Sequence, residues 1–239
     1  MRRLKIADLQ VDIEVKSERL LKQCLPYEDA SQLNSAADIT VKVTEGEIAA
    51  SLKRYPNFTE ETAEYIRAGG IFYTGLIDFG GIMLHASGVV KDGYAYLFSA
   101  DSGTGKSTHT RLWCENIEGA YIINDDKPAI RKLNNELFVY GTPFSGKEDL
   151  SVNEKVKLGG ICFLYRSEEN VIEKISAEEA IVPVLRQTIH QLREEKLDKF
   201  LKLLDDILSN VPVYKMGCNI SRQAAMLSYN TMKRTKDNA

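Results

Sequence analysis

The segment Ala100-Asp101-Ser102-Gly103-Thr104-Gly105-Lys106-Ser107-Thr108 restricts this chain more than any other stretch. A strand-like run, Tyr94 to Ser99, leads into it, and a helical pattern, Ser107 to Asn116, leaves it. Glycines between a strand and a helix let the backbone wrap a phosphate. The first amides of the helix then face the bound anion, and a lysine at this place reaches the β- and γ-phosphates. The strict form of the pattern has glycine where this chain has Ala100, a small residue that still suits the turn. The Ser107 hydroxyl is placed to ligate Mg²⁺. Asp101, Ser102, Gly103, Thr104, Gly105, Lys106, Ser107 and Thr108 are therefore the candidate nucleotide-binding residues. A loop with these flanks requires an α/β fold.

The surrounding pattern fills in that fold. Ile82 to Val90 and Tyr94 to Ser99 read as strands joined by Lys91-Asp92-Gly93, a hairpin turn. An antiparallel pair thus feeds the phosphate loop, where a parallel βαβ unit would be usual. Further strands are expected at Ala120 to Ile123, Ala129 to Lys132, Leu137 to Tyr140 and Gly160 to Tyr165. The last third reads as helix over Glu178 to Gln191, Glu194 to Ser209 and Arg222 to Met232, with a strand at Val211 to Met216. Before residue 80 the signals are short and mixed. Leu9 to Leu25 has partial helical spacing, Ala37 to Val43 alternates as a strand, and Thr59-Glu60-Glu61 opens a helix. The expected organisation is a small α+β subdomain over 1–80 and a catalytic domain over 81–239.

Composition narrows the partners. With 31 Lys+Arg against 34 Asp+Glu, the formal charge of −3 gives no globally basic surface for nucleic acid. No apolar run approaches the length of a membrane span, and no apolar segment follows the charged start, so no signal peptide is read. The four cysteines, Cys24, Cys114, Cys162 and Cys218, form no metal-ligand spacing and suit reduced thiols in a cytoplasm.

Asp125-Asp126, at the end of the strand after the phosphate loop, is the second chemical signal. A strand-end aspartate commonly holds the metal opposite the loop hydroxyl. Two adjacent carboxylates allow a division of labour, one on Mg²⁺ and one accepting a proton. His85, on the strand before the loop, is placed to orient an aspartate or relay a proton. His109 and His190 read as ordinary helix residues, and Trp113 and Phe144 as packing residues. Gly141-Thr142-Pro143-Phe144-Ser145-Gly146 is a turn that either only reverses the chain or walls an acceptor pocket, with Ser145 and Lys147 offering contacts. Lys127 and Arg131 either add charge near the metal or line a solvated strand edge.

Three blocks in order carry a resemblance: Leu84-His85-Ala86-Ser87-Gly88-Val89, then Ser99 through Ser107, then Ile122-Ile123-Asn124-Asp125-Asp126. Over roughly Met83 to Leu164 the chain resembles the catalytic domain of HPr kinase/phosphorylase, whose fold is shared with phosphoenolpyruvate carboxykinase. With Pro143-Phe144-Ser145-Gly146 and its short N-terminal region, it is also similar to compact HPr-kinase-like enzymes of peptide-tailoring clusters, the lasso-peptide kinases among them. The resemblance implies a mixed sheet flanked by helices, ATP and Mg²⁺ as cofactors, and catalytic roles for Asp125, Lys106 and His85. It places Ser107 and Asp126 on the metal and Asp125 as base, an assignment the two aspartates can exchange. The family's glycine-containing signature is not found beyond Leu158-Gly159-Gly160, and Glu154 and Lys155 both fall near the place of its glutamate, so the resemblance leaves reverse phosphorylase activity open.

The expected function is transfer of the γ-phosphoryl of ATP to a serine-type hydroxyl on a peptide or small protein. The expected partners are that substrate and a possible homo-oligomer, with neither nucleic acid nor membrane. The alternatives are a nucleotide-binding regulatory module, an NTP hydrolase, and a kinase of a small metabolite such as free serine.

Overall fold

The computed structural model describes residues 1–29, 35–188 and 192–234. Two strands, β1 (Arg2–Ile6) and β2 (Leu9–Glu14), open the chain as an antiparallel hairpin. Helix α1 (Glu18–Cys24) follows, and β3 (Ile39–Lys42) then pairs parallel with β2. The helical spacing read over Leu9 to Leu25 is thus a strand followed by a short helix: Leu9, Val11 and Ile13 alternate inward, and only from Glu18 does the helix begin. The hairpin turn is Ala7-Asp8, both left-handed, a pair without the usual turn signature. Helices α2 (Glu45–Arg54) and α3 (Glu60–Leu76) start at Thr44 and Thr59, whose hydroxyls cap the first amides. Strand β1 and helix α2 carried too little periodicity to be expected from sequence.

The second sheet begins at β4 (Gly81–Met83) and continues with β5 (Ala86–Lys91), β6 (Tyr94–Ser99), helix α4 (Lys106–Asn116), β7 (Tyr121–Asn124), β8 (Ala129–Leu133), β9 (Glu136–Tyr140) and β10 (Lys155–Arg166). Strand β11 (Val171–Ile175), helices α5 (Ala177–Arg186) and α6 (Glu194–Asn210), strand β12 (Val213–Cys218) and helix α7 (Arg222–Met232) complete the chain. The strand order is β4-β8-β9-β10-β6-β5-β7, with β12 also on β10 and β11 outside it. Long β10 makes this fork possible: its first residues pair with β9, and Ile161 to Arg166 pair with β12. Since β10 runs parallel to β6 and β12 while β5 and β6 are antiparallel, this is a mixed α/β sheet.

The sheet is covered on both sides, so its strands are apolar on both faces. Tyr96 and Phe98 of β6 and Cys162 and Leu164 of β10 face α4 and α7, packing with Trp113, Ala224, Ala225 and Met232. Ala95, Leu97 and Ile161 face the other way, onto Phe200, Leu203, Leu204, Ile207 and Leu208, which recur every three to four residues along α6. The N-terminal sheet shares its core with the second sheet: Leu4, Val11, Tyr27, Phe72 and Tyr73 pack with Ala129, Tyr140 and Phe144. No helix among the described residues is long and apolar enough to cross a membrane.

Several local expectations are corrected. Ile82 to Val90 is two strands, because the chain leaves β8 for β6 at Leu84-His85. Arg131 lies neither on a solvated edge nor beside the Asp125-Asp126 pair. It is buried, and its guanidinium donates to Phe79 O and Ala7 O, tying the β1–β2 turn to the second sheet. Helix α5 ends at Arg186, and Gln187 turns towards the site. Gln191, the expected helix end, and His190 fall outside the described residues.

Candidate active site

The loop after β6 has the backbone that its glycines allow. Gly103 (φ +78°) and Gly105 (φ +123°) are in conformations an L side chain rarely adopts, and a Cβ on either would meet no atom within 4 Å. The loop therefore surrounds open space at the N-terminus of α4, where Gly105 supplies no side-chain cap to the first amides. Ala100, Asp101, Ser102, Thr104, Ser107 and Thr108 all lie in this turn or in the first turn of α4. Lys106 is buried, and its ammonium donates to Ala100 O at 2.8 Å. Burial lowers its proton affinity, while Asp126 and Asp101 act in the opposite direction.

Strand β7 delivers the two aspartates to the same end of the sheet through an Asx turn at Asn124. The buried Asn124 side chain accepts from Asp126 N (3.0 Å) and Lys127 N (2.7 Å) and donates to Thr142 O (3.0 Å). Ala86 N donates to Asp126 O at 3.0 Å, and Ala86 lies opposite Ser99, the last residue before the loop. Asp125 and Asp126 are thereby set beside the loop, in different surroundings. Asp125 is 5% exposed and accepts from Gly146 N at 2.5 Å. Burial raises its pKa, the Gly146 amide opposes that, and the charge of Asp126 adds to the rise. Burial also pushes Asp126 upward, but the His85 hydrogen bond and the Lys127 charge outweigh it and hold Asp126 at about 2.

His85 bridges the two halves of the site. Its Nε2 is 3.0 Å from Asp126 Oδ1, and its Nδ1 is 3.0 Å from Gln187 Oε1. Its backbone N donates to Gln187 O at 2.7 Å, and Gln187 Nε2 donates to Asp101 Oδ1 at 3.3 Å. A continuous chain therefore runs from Asp126 through His85 and Gln187 to the start of the phosphate loop. Lys127 is ion-paired with Asp126 and lies 5.1 Å from the centre of the Tyr65 ring.

The Gly141–Gly146 segment reaches the site through its backbone, not through the Ser145 and Lys147 side chains. Phe144 is buried among Tyr65, Phe72 and Tyr73. Ser145 is buried, accepting from Gln23 Nε2 (2.8 Å) and donating to Asp149 Oδ1 (2.7 Å). Lys147 is exposed. The contact with Asp125 comes from the Gly146 backbone, and Arg19 Nη2 holds Gly146 O at 2.9 Å. His109 is buried on α4, pushed down to about 4 by burial and bonded to Ser228 Oγ at 2.9 Å, and Trp113 donates to the same hydroxyl. All four cysteines are unpaired.

Residues missed from sequence are Asn124, Gln187, Arg19 and Tyr65. An Asn directly before Asp-Asp at a strand end is an Asx-turn signal that was available. The other three are distant in sequence and only the packing brings them in.

Among the described residues no three His, Cys, Asp or Glu side chains converge on one point. The residues present nevertheless fit Mg²⁺, which takes few protein ligands and completes its shell with phosphate oxygens and water. Asp126 is held low by His85 at one carboxylate oxygen and Lys127 at the other, beside which the ion would sit, and Ser107 offers a hydroxyl from the first turn of α4.

No family model matches the chain, and no curated protein matches it. Among solved structures, the HPr(Ser) kinase/phosphatase from Coxiella burnetii is similar at 13% identity and a TM-score of 0.37, over 62% of this chain and 93% of that one. A likeness this partial carries nothing about activity.

Proposed function

We propose that this protein is an ATP- and Mg²⁺-dependent kinase that transfers the γ-phosphoryl group to a serine-type hydroxyl of a peptide or small protein. The supporting observation is the pair Asp125 and Asp126 beside the phosphate loop, with proton affinities displaced in opposite directions. Carboxylates driven apart in this way mark an acid–base assignment. Asp125, raised, is suited to accept a proton; Asp126, lowered, is suited to stay charged against a cation. Ser107 and Asp126 would hold Mg²⁺, which supplies charge neutralisation at the β- and γ-phosphates. The loop amides and Lys106 position the triphosphate. As the acceptor oxygen bonds to the γ-phosphorus, its proton passes to Asp125 and the bond to the β-phosphate oxygen breaks, releasing ADP. The Asp126–His85–Gln187 chain fixes the geometry of the charged aspartate.

The test is mass spectrometry of serine-containing peptides, small proteins and free serine incubated with the protein, γ-labelled ATP and Mg²⁺, with Lys106→Ala as control. Label on one acceptor, absent in the control, is the expected result and names the substrate class. Phosphate release without any labelled acceptor would replace the proposal with a hydrolase. Nucleotide binding with neither outcome would replace it with a regulatory module.

A further inference from the structure

The sheet order gives the phosphate loop two unlike flanks. On one side lie β5 and β7, with His85 just before β5 and the two aspartates just after β7; on the other lies β10. Because β10 runs parallel to β6, with Phe163 opposite Ser99, its last residue Arg166 runs past the end of β6, alongside the loop, while still paired with β12. Arg166 Nη2 donates to Gly103 O at 2.6 Å. Among the described residues Arg166 has no carboxylate within ion-pair distance. A guanidinium has five N–H donors, so most remain for a phosphate oxygen. Beyond Arg166, β12 pairs alongside with Cys218 opposite it, and the turn into α7 is braced by Asn170 and Asn219, which bond to each other twice (3.1 and 3.0 Å). That braced turn presents Ile220, 80% exposed, an aliphatic side chain in solvent on a fixed backbone.

The γ-phosphate of a bound nucleotide belongs at the aspartate flank, since the proton acceptor and the metal ligand are there. The nucleoside must then leave towards the opposite flank. We infer that Arg166 clamps the part of the nucleotide common to ATP and ADP and that Ile220 covers the base, so that the β10–β12 end of the sheet is the nucleoside subsite. This inference rests on the phosphate-loop reading and adds to it the direction in which the nucleotide lies.

Isothermal titration of the full chain with MgATP, MgADP and tripolyphosphate separates the possibilities. Both side chains are exposed, and matched melting temperatures confirm that the variants are folded. Arg166→Ala is expected to weaken ATP and ADP alike by about tenfold, the worth of one charge-assisted hydrogen bond. Ile220→Ser is expected to weaken ATP and ADP by about fivefold and leave tripolyphosphate unchanged, since only a base meets it. An Arg166→Ala protein that binds as wild type, or loses ATP alone, overturns the inference. So does an Ile220→Ser protein that binds ATP as wild type, or loses tripolyphosphate equally. If the wild-type protein binds none of the three, the phosphate-loop reading falls as well, which distinguishes that failure from this one.

Discussion

Replacing Gly146 by alanine tests the base assignment without touching an ionisable group. A Cβ there would stand 2.9 Å from Asp125 Oδ2 and 3.1 Å from Cγ. Ordinary contact needs about 3.4 Å, so the carboxylate must retreat by about 0.5 Å. The backbone cannot absorb this readily: Asp125 N is bonded to Leu150 O, and Gly146 O is held by Arg19 and by Asp149 N. The side chain of Asp125 therefore turns, and its charge-assisted bond to Gly146 N, worth about 1.5–3 kcal/mol, lengthens. A displacement of about 1 Å at a reacting group costs on the order of 100-fold. For half that shift kcat should fall about tenfold, with ATP affinity unchanged to within about twofold, because Gly146 lies off the phosphate loop. Losing an amide that favours the charged form should also move the acid limb of the kcat profile to higher pH. Steady-state kinetics from pH 5 to 9 with a parallel ATP titration reads both. A full-rate Gly146→Ala enzyme would refute Asp125 as the base, and equal losses in kcat and ATP affinity would show that this loop only supports the fold.

Three further expectations follow from the same geometry. Asp125→Asn should lower the single-turnover rate by about 100-fold or more while keeping ATP bound. It should also melt higher at neutral pH: the raised native pKa makes Asp125 cost stability once pH rises from the unfolded value through the native one, and below that window the advantage should vanish. Asp126→Asn should have the opposite sign. Stability from Asp126 is present above pH 3.8 and lost as pH falls through about 2, so urea denaturation at pH 7 should show a loss of about 2 kcal/mol. Arg131→Ala strands the Ala7 and Phe79 carbonyls and should cost about 2–4 kcal/mol in the same assay, with kcat per folded molecule unchanged.

Local chemistry made the phosphate loop and its flanks legible in the sequence. Gly103 and Gly105 are needed wherever the chain takes positive φ, and Asp92-Gly93 and Asn134-Asn135 are left-handed pairs that close hairpins in any context. The alternation of β6 and the spacing of α6 follow from having faces to bury, so the α/β class and the candidate loop and aspartates came from the sequence. Long-range contacts decided the rest. Ala7-Asp8 turns left-handed without a turn signature because Arg131 takes the Ala7 carbonyl and Tyr140 and Lys155 take the Asp8 carboxylate, all more than 100 residues away. Gln187 enters the site because α5 stops where His85 can bond to it twice. The unlike proton affinities of Asp125 and Asp126 exist nowhere in the sequence Asp-Asp. They arise from burial, from an amide of Gly146 on one side, and from His85 and Lys127 on the other, which only the folded sheet brings together.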